Sequence, residues 1–137
     1  MSYAGDMTPE EAWKLLVDNP EAVLVDCRTA AEWRFVGVPD LTSLERDVVY
    51  VEWNTADGKH NDSFIDDLKA AGVTSGDRPV VFLCRSGNRS IGAAEAATEA
   101  GIAPSYNIVD GFEGNLDEQR HRGGSGWKAV GLPWKQS

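Results

Sequence analysis

The sequence predicts an α/β fold with a central, mostly parallel sheet that is flanked by helices on both faces. Three short apolar runs, 22–26, 79–83 and 106–109, have the length and the β-branched content of buried strands. Segments with helical spacing of apolar residues separate these runs. Because parallel strands are joined by crossover connections that usually contain a helix, the alternation favours a parallel sheet covered on both sides.

The first helix is predicted to begin at Thr8. Thr8 and Glu11 have the spacing of a capping box, and Pro9 suits the first turn of a helix. An apolar stripe that includes Leu16 follows, and the helix should end near 19–20. The strand at 22–26 comes directly after it.

A second capping-box pattern, Thr29 with Glu32, predicts a short helix after the first strand. The stretch 47–53 is interpreted as a further strand, and 56–59 as a turn. A helix carrying Phe64, Leu68 and Ala71 should follow and stop at Gly72, and the chain should turn at 75–77.

The strand at 79–83 leads straight into Cys84, and a helix is predicted from about 90 to 100. After the strand at 106–109, a turn is expected at 111–114 and a polar surface loop at 115–126. A last short helix is predicted at 127–130.

The length and charge of the chain limit its class. Its 137 residues suit one domain, 1–137. The net charge of -9 argues against nucleic acid and against anionic membranes as partners, since both require a basic face. No basic-then-apolar leader and no apolar stretch of membrane-spanning length is present in the sequence, so we expect a cytoplasmic protein.

The two cysteines, Cys27 and Cys84, are not in a CxxC or metal-binding spacing. The two histidines, His60 and His121, are far apart in sequence. We therefore expect no metal and no cofactor. Cys27, at the end of an apolar run, is expected to be a buried apolar residue, with a resolving partnership for Cys84 as the alternative.

The loop after Cys84 carries the candidate chemistry. Ser86, Gly87 and Asn88 favour a turn, and a curled loop can direct successive N–H groups at an anion. The following helix adds its positive N-terminal end, and Arg85 and Arg89 add two charges. These features favour a thiolate nucleophile that needs no histidine base.

The segment Cys84-Arg85-Ser86-Gly87-Asn88-Arg89-Ser90 resembles the active-site loop of rhodanese domains. Three further blocks are similar to the family's motifs in order and spacing: residues 24–28 with Glu32 and Trp33, residues 107–112, and Trp127 with 131–133. The resemblance spans most of the chain and identifies it as a rhodanese-like sulfurtransferase.

This resemblance implies that Cys84 attacks the outer sulfur of a small anionic donor such as thiosulfate and carries it as a persulfide. A thiophilic acceptor such as cyanide or a thiol would then remove that sulfur; a protein persulfide could also be the donor. The backbone of residues 85–90 would hold the outer sulfur, and Arg85 and Arg89 would orient the donor. Asp26 and Arg28 are expected to have a structural role near the site.

The sequence departs from the family pattern at three places. The motif Gly-His-Ile-Pro-Gly-Ala is represented by Gly37-Val38-Pro39-Asp40-Leu41, without the histidine. Cys27 replaces the usual valine between the aspartate and the arginine. The loop 115–126 is longer than usual, and we expect it to influence the choice of acceptor.

Two alternatives stay open. A phosphatase or arsenate reductase of the same fold needs Cys-x5-Arg, whereas Ser90 stands at that position here and the arginine comes one residue earlier, at Arg89. A non-catalytic rhodanese module that only binds proteins typically lacks the cysteine, which is present as Cys84. Both rank below the sulfurtransferase.

Overall fold

The computed structural model describes residues 3–74 and 78–136, so the predicted turn at 75–77 lies outside the described residues. A central sheet of five parallel strands has the order β1-β6-β5-β2-β4. Its strands are β1 (Gly5–Met7), β2 (Val23–Asp26), β4 (Val49–Tyr50), β5 (Val80–Leu83) and β6 (Ser105–Ile108). A small antiparallel pair consists of β3 (Val38–Pro39) and β7 (Trp134–Lys135).

Helices and a short 3-10 turn connect these strands. They are α1 (Pro9–Asp18), α2 (Ala30–Phe35), α3 (Phe64–Ala70) and α4 (Arg89–Glu99), with the 3-10 turn at Thr42–Leu44. The predicted capping boxes are present: Thr8 caps α1 together with Glu11, and Thr29 caps α2 together with Glu32. These boxes satisfy backbone N–H groups that have no partner within the helix, which explains why both helices begin where the sequence predicts.

The central strands are buried on both faces, as expected for a parallel sheet with helices on each side. On β5, Val80 and Phe82 belong to the apolar cluster that contains α3 and α4, whereas Val81 and Leu83 belong to the cluster that contains α1. The inner face of α4 consists of alanines, which allow the helix to lie close to the sheet; they are Ala93, Ala94 and Ala97.

Parts of the fold differ from the sequence prediction. The strand predicted at 47–53 pairs as β4 only over Val49–Tyr50, because it lies at the edge of the sheet and has a single neighbour, β2. The helix predicted at 127–130 is a turn. It is confined between Gly126 and Gly131, at φ 97 and φ 82, so too few residues remain to continue a helix. Strand β1, which pairs with β6, was not predicted.

The described residues have neither the features of a membrane-spanning helix nor those of a metal site. None of their helices has the length and apolar character needed to cross a membrane. Among residues 3–74 and 78–136, no group of three or more His, Cys, Asp or Glu side chains is arranged to hold a metal ion.

Candidate active site

The Cys84 thiol lies at the carboxyl end of β5 and at the N-terminus of α4. Its side chain is buried, and three groups of the following loop surround the sulfur. The backbone N–H groups of Gly87 and Ser90 are directed at Sγ, with N–Sγ distances of 3.2 and 3.4 Å. The Ser90 hydroxyl oxygen lies 3.2 Å from the same sulfur. Cys84 is thus held where a helix N-terminus and a curled loop both present hydrogen-bond donors.

The local sequence explains this geometry. Gly87 has φ 95, and a Cβ there would lie 3.1 Å from the Asp110 nitrogen and 3.2 Å from the Ile108 oxygen. Only glycine adopts this conformation in so little space. Asn88, the residue before α4, makes no capping hydrogen bond with its side chain. The first turn of α4 therefore keeps the Ser90 N–H free to point at the sulfur.

The turn after β6 donates hydrogen bonds to the backbone of the active-site loop. The Phe112 N–H donates to the Cys84 carbonyl at 2.8 Å, and the Glu113 N–H donates to the Arg85 carbonyl at 2.9 Å. Gly111 has φ 57, and a Cβ on it would lie 2.6 Å from the Arg85 carbonyl carbon. Residues 111–113 thus fix the loop through the backbone of Cys84 and Arg85.

A chain of side-chain hydrogen bonds leads from the sulfur to strand β1. The Ser90 hydroxyl donates to Asn107 Oδ1, so its oxygen faces Cys84 as an acceptor for the thiol proton. Asn107 Nδ2 donates to Asp6 Oδ1 at 3.1 Å, and the Tyr3 hydroxyl donates to the same oxygen at 2.7 Å. The Asp6 carboxylate accepts only, and therefore fixes which way the Asn107 amide points.

Arg89 forms an ion pair with Glu32 of α2. Its Nη1 and Nη2 atoms lie 2.7 and 3.0 Å from Glu32 Oε1 and Oε2. Burial alone would raise the pKa of Glu32, but hydrogen bonds from Arg89 and from the Thr29 backbone outweigh it and lower that pKa. The bonds to Glu32 raise the pKa of Arg89. Because this guanidinium is already paired, a direct contact between Arg89 and an anionic donor stays a prediction.

Among the described residues, the other loop side chains make no hydrogen bond to the Cys84 sulfur. Arg85 is exposed and forms no ion pair with any residue in the described ranges. Ser86 is half-buried and accepts a hydrogen bond of 3.4 Å from the side chain of exposed Asn88. Of the two predicted donor-binding arginines, Arg85 is the one whose charge stays uncompensated within the described part of the chain.

Asp26 and Arg28 lie at the end of β2 and are fully buried. Arg28 Nη2 lies 2.7 Å from Asp26 Oδ2 and 2.8 Å from the Gly37 carbonyl oxygen. The guanidinium also stacks over the Phe112 ring, 4.3 Å from its centroid. The pair thereby connects the end of β2, the segment at Gly37 and the turn that supports the loop.

A small cleft lies beside the outer end of the loop. It has a volume of about 130 Å³ and is lined by Glu113, Arg122, Gly123 and Lys128. Arg122 is held by a 2.7 Å bond from Nη1 to the Gly114 carbonyl. Glu113 connects the cleft to the loop through its bond to the Arg85 carbonyl. The loop 115–126 thus places one of its cations, Arg122, next to the backbone that supports Arg85.

Two residues of this site were not predicted from the sequence. In the sequence Glu32 is a helix-capping residue and part of a family motif, and neither indicates its pairing with Arg89, which spans 57 positions. Asn107 was interpreted as part of a strand. A polar residue inside an otherwise apolar buried strand is a signal that could have drawn attention to Asn107, since buried amides need partners.

Comparisons with known proteins show what the chain is similar to. A family model described as "STR4 middle domain" matches residues 4–137. An uncharacterized protein of Rickettsia conorii, RC0915, is 38% identical over 125 residues, which are 91% of this chain and 92% of that protein. The thiosulfate sulfurtransferase GlpE of Glaesserella parasuis is 30% identical over 112 residues, 80% of this chain and 83% of that protein.

Several solved structures are also similar to this chain. Rv0390 of M. tuberculosis has 68% identity and a TM-score of 0.92, covering 99% of this chain and 100% of that chain. The polysulfide-sulfur transferase homodimer of Wolinella succinogenes has 26% identity and a TM-score of 0.62, covering 96% and 78%. A rhodanese-like domain protein of Staphylococcus aureus, at 17% identity, TM-score 0.61 and coverage of 100% and 99%, shares the fold. With its loop around Cys84, its parallel sheet and relatives that include sulfurtransferases, the chain belongs to the rhodanese-like family.

Proposed function

We propose that this protein is a thiosulfate sulfurtransferase that works through a persulfide on Cys84. The observation that carries the proposal is the position of Sγ, within 3.4 Å of the Gly87 and Ser90 N–H groups at the N-terminus of α4. Such donors stabilise negative charge on a sulfur atom without a base. The similarity to a protein named as a thiosulfate sulfurtransferase supports thiosulfate, or a similar anionic sulfane-sulfur compound, as the donor.

The first half-reaction is a displacement at sulfur. The Cys84 thiolate attacks the outer sulfur of thiosulfate, the S–S bond of thiosulfate breaks, and sulfite leaves with the bonding electron pair. The terminal sulfur of the new persulfide lies among the N–H groups of residues 85–90. Exposed Arg85 attracts the dianion into this position despite the net charge of -9.

In the second half-reaction, cyanide or a thiolate attacks the terminal sulfur. The persulfide bond breaks and the Cys84 thiolate is regenerated, which the same two N–H groups stabilise as the leaving group. A persulfide on a partner protein, or an inorganic polysulfide, can replace thiosulfate in the first step with the same chemistry. The Wolinella succinogenes relative is named as a polysulfide-sulfur transferase, which makes polysulfide the second donor to test.

The phosphatase alternative is less favourable. It requires an arginine at the sixth position after the cysteine, and that position holds Ser90, whose side chain contacts Cys84 Sγ. The preceding Arg89 already binds Glu32 through both terminal nitrogens. A loop with one residue fewer suits a single sulfur atom better than a tetrahedral oxyanion.

The proposed setting is the cytoplasm, where a thiol nucleophile stays reduced. Both cysteines are free thiols and are buried. The acidic charge disfavours nucleic acid and anionic lipid as partners, so the proposed partners are the small anionic donor and the thiophilic acceptor.

The test is thiocyanate formation from thiosulfate and cyanide, combined with intact mass spectrometry of the thiosulfate-treated protein. Wild type should form thiocyanate, and samples quenched early after thiosulfate treatment without acceptor should carry the mass of one added sulfur atom. The matched control is Cys84→Ser, which replaces the thiol with a hydroxyl of similar size. It should show neither thiocyanate formation nor a gain of sulfur. A folded wild-type protein that neither turns over nor gains sulfur from thiosulfate or polysulfide would contradict the proposal.

A further inference from the structure

Cys27 and Cys84 directly follow two adjacent parallel strands, β2 and β5, at neighbouring positions. The register of β2 and β5 ends with Asp26 opposite Leu83, and the two cysteines are the residues that follow this last pair. The pairing continues to this point, since the Cys27 N–H donates to the Leu83 carbonyl at 2.9 Å. Neighbouring strands lie about 4.8 Å apart, within the range of Cα separations that a disulfide can span.

Both side chains also leave the sheet on the same face. Strand residues alternate between faces, and Cys27 and Cys84 share one apolar cluster with Val25 and Phe82, which precede them by two positions. Both thiols are free in this structure. No turn or hinge has to move to bring these two strand positions together, because the register of the sheet already does so.

The surroundings of Cys27 restrict what its thiol can react with. Its side chain has no solvent exposure, and Sγ donates to the Leu83 carbonyl oxygen at 3.3 Å. Burial raises the pKa of Cys27 well above its usual value, and the neighbouring Cys84 sulfur raises it further. Cys27 therefore stays a thiol when Cys84 takes up sulfur, and molecules in solution cannot reach it. Within the cluster, the reactive partner beside it is the sulfur of Cys84.

We propose that Cys27 is a resolving thiol that releases the carried sulfur as sulfide and leaves a Cys27–Cys84 disulfide. This rests on the proposed Cys84 persulfide. As the Cys27 thiol gives up its proton, its sulfur attacks the inner sulfur of the protonated persulfide; a new S–S bond forms between the two cysteines, and the bond to the outer sulfur breaks. The outer sulfur leaves with the electron pair as hydrosulfide and takes up the proton of Cys27. No external oxidant is needed, because the sulfane sulfur itself is reduced.

Attack on the inner rather than the outer sulfur follows from where the two ends of the persulfide lie. The inner sulfur is Sγ of Cys84, on the side of the sheet that Cys27 shares. The outer sulfur projects into the loop of residues 85–90. A small-molecule thiol then resets the enzyme by reducing the disulfide. The sum is thiosulfate plus two thiols giving sulfite, hydrogen sulfide and one organic disulfide, so the protein would be a sulfide-releasing reductase as well as a sulfur carrier.

The experiment uses reduced full-length protein without added thiol under anaerobic conditions. It is treated with thiosulfate and desalted, and then released sulfide and intact mass are measured. Wild type should release close to one sulfide per chain and lose two hydrogen atoms, with a Cys27–Cys84 crosslink in the peptide map. The matched variant is Cys27→Val, which places a similar apolar side chain at this buried position, with Cys27→Ala as a second variant. Both should keep a one-sulfur adduct and release sulfide only after a thiol is added.

The outcomes separate this inference from the proposed function. A stable one-sulfur adduct on wild type, on either cysteine and without sulfide release, would overturn the resolving role and leave the Cys84 persulfide intact. If thiosulfate loads neither wild type nor Cys27→Val, thiosulfate fails as the donor. Inorganic polysulfide then provides the persulfide for the same two readouts. If polysulfide also loads neither protein, both proposals fail together, because no persulfide exists to be resolved.

Discussion

Arg89 and Glu32 form an ion pair with two hydrogen bonds, 2.7 and 3.0 Å long, that ties the first turn of α4 to helix α2. Arg89 directly precedes Ser90, whose N–H and hydroxyl both contact the Cys84 sulfur. The same carboxylate of Glu32 also accepts from the Thr29 backbone as part of the α2 capping box. Glu32 thus positions α4, which carries Ser90, and also caps the N-terminus of α2.

Glu32→Gln should lower both the stability of the fold and the rate of sulfur transfer. The two side chains are 23% and 18% exposed, between a surface pair and a buried one, so we expect a loss of about 1–2 kcal/mol in the free energy of unfolding. A displaced Ser90 should lower kcat/KM by about 10-fold or more. Chemical denaturation and the thiocyanate assay measure these effects, with Glu10→Gln at an exposed position of α1 as the control. Equal effects in both variants would contradict the role of the pair.

The contribution of this pair should depend on pH. The pKa of Glu32 in the folded protein lies below 4.5, the ordinary value of a glutamate carboxyl, so the folded state binds a proton less readily than the unfolded state. The stabilisation is therefore fully present above about pH 5 and is lost as the pH falls through the folded pKa. The difference in unfolding free energy between wild type and Glu32→Gln should be constant near neutral pH and shrink below pH 4.5. If this difference in unfolding free energy instead grows as the pH falls, the predicted role of the Glu32 carboxylate is contradicted.

Gly111→Ala should distort the active-site loop itself. The new methyl group would lie 2.6 Å from the Arg85 carbonyl carbon, and the residue would keep φ 57. We expect a loss of more than about 3 kcal/mol from the clash and the strained backbone together, with loss of turnover. Gly58→Ala is the matched control, since Gly58 has φ 80 and open space around its Cβ position. It should cost only about 1 kcal/mol and keep full activity in the thiocyanate assay.

Exchanging Asp6 and Asn107 tests the hydrogen-bond chain behind Ser90. Asn107→Asp places a second carboxylate against Asp6, with no N–H to bridge them, and should cost about 2 kcal/mol of stability. The double variant Asp6→Asn with Asn107→Asp restores a donor and an acceptor at the two positions. Thermal unfolding of the two single variants and the double variant gives the coupling, which should be favourable by at least about 1 kcal/mol. Additive losses would show that the two side chains do not interact.

The sequence predicts the local parts of this fold well. The capping residues Thr8 and Thr29, and the buried strands that contain Val25 and Phe82, depend on short-range chemistry that can be recognised along the chain. Strand β1 was missed because Gly5–Met7 has little β-propensity and forms a strand only by pairing with β6. The helix expected at 127–130 does not form, because the flanking glycines limit its length.

The loop from Cys84 to Ser90 could be predicted because its turn residues, its helix and its cysteine are contiguous. The partners of that loop could not. Glu32 reaches Arg89, and Asn107 reaches Ser90, only after the strands have taken their order in the sheet. The proximity of Cys27 to Cys84 likewise depends on the register of β2 against β5, which no spacing along the chain determines.

Arg122 and Lys128 should contribute to binding of an anionic donor, since both line the cleft next to the backbone of Arg85. Arg122→Gln and Lys128→Gln should each raise the KM for thiosulfate about 3- to 10-fold and change kcat by less than about twofold, because these cations lie beside the loop and not at the sulfur. The effect should shrink as ionic strength rises. Lys14→Gln makes the same change in net charge on the exposed face of α1, where Lys14 pairs with Asp18. If that variant raises KM as much, overall charge and not the cleft attracts the donor.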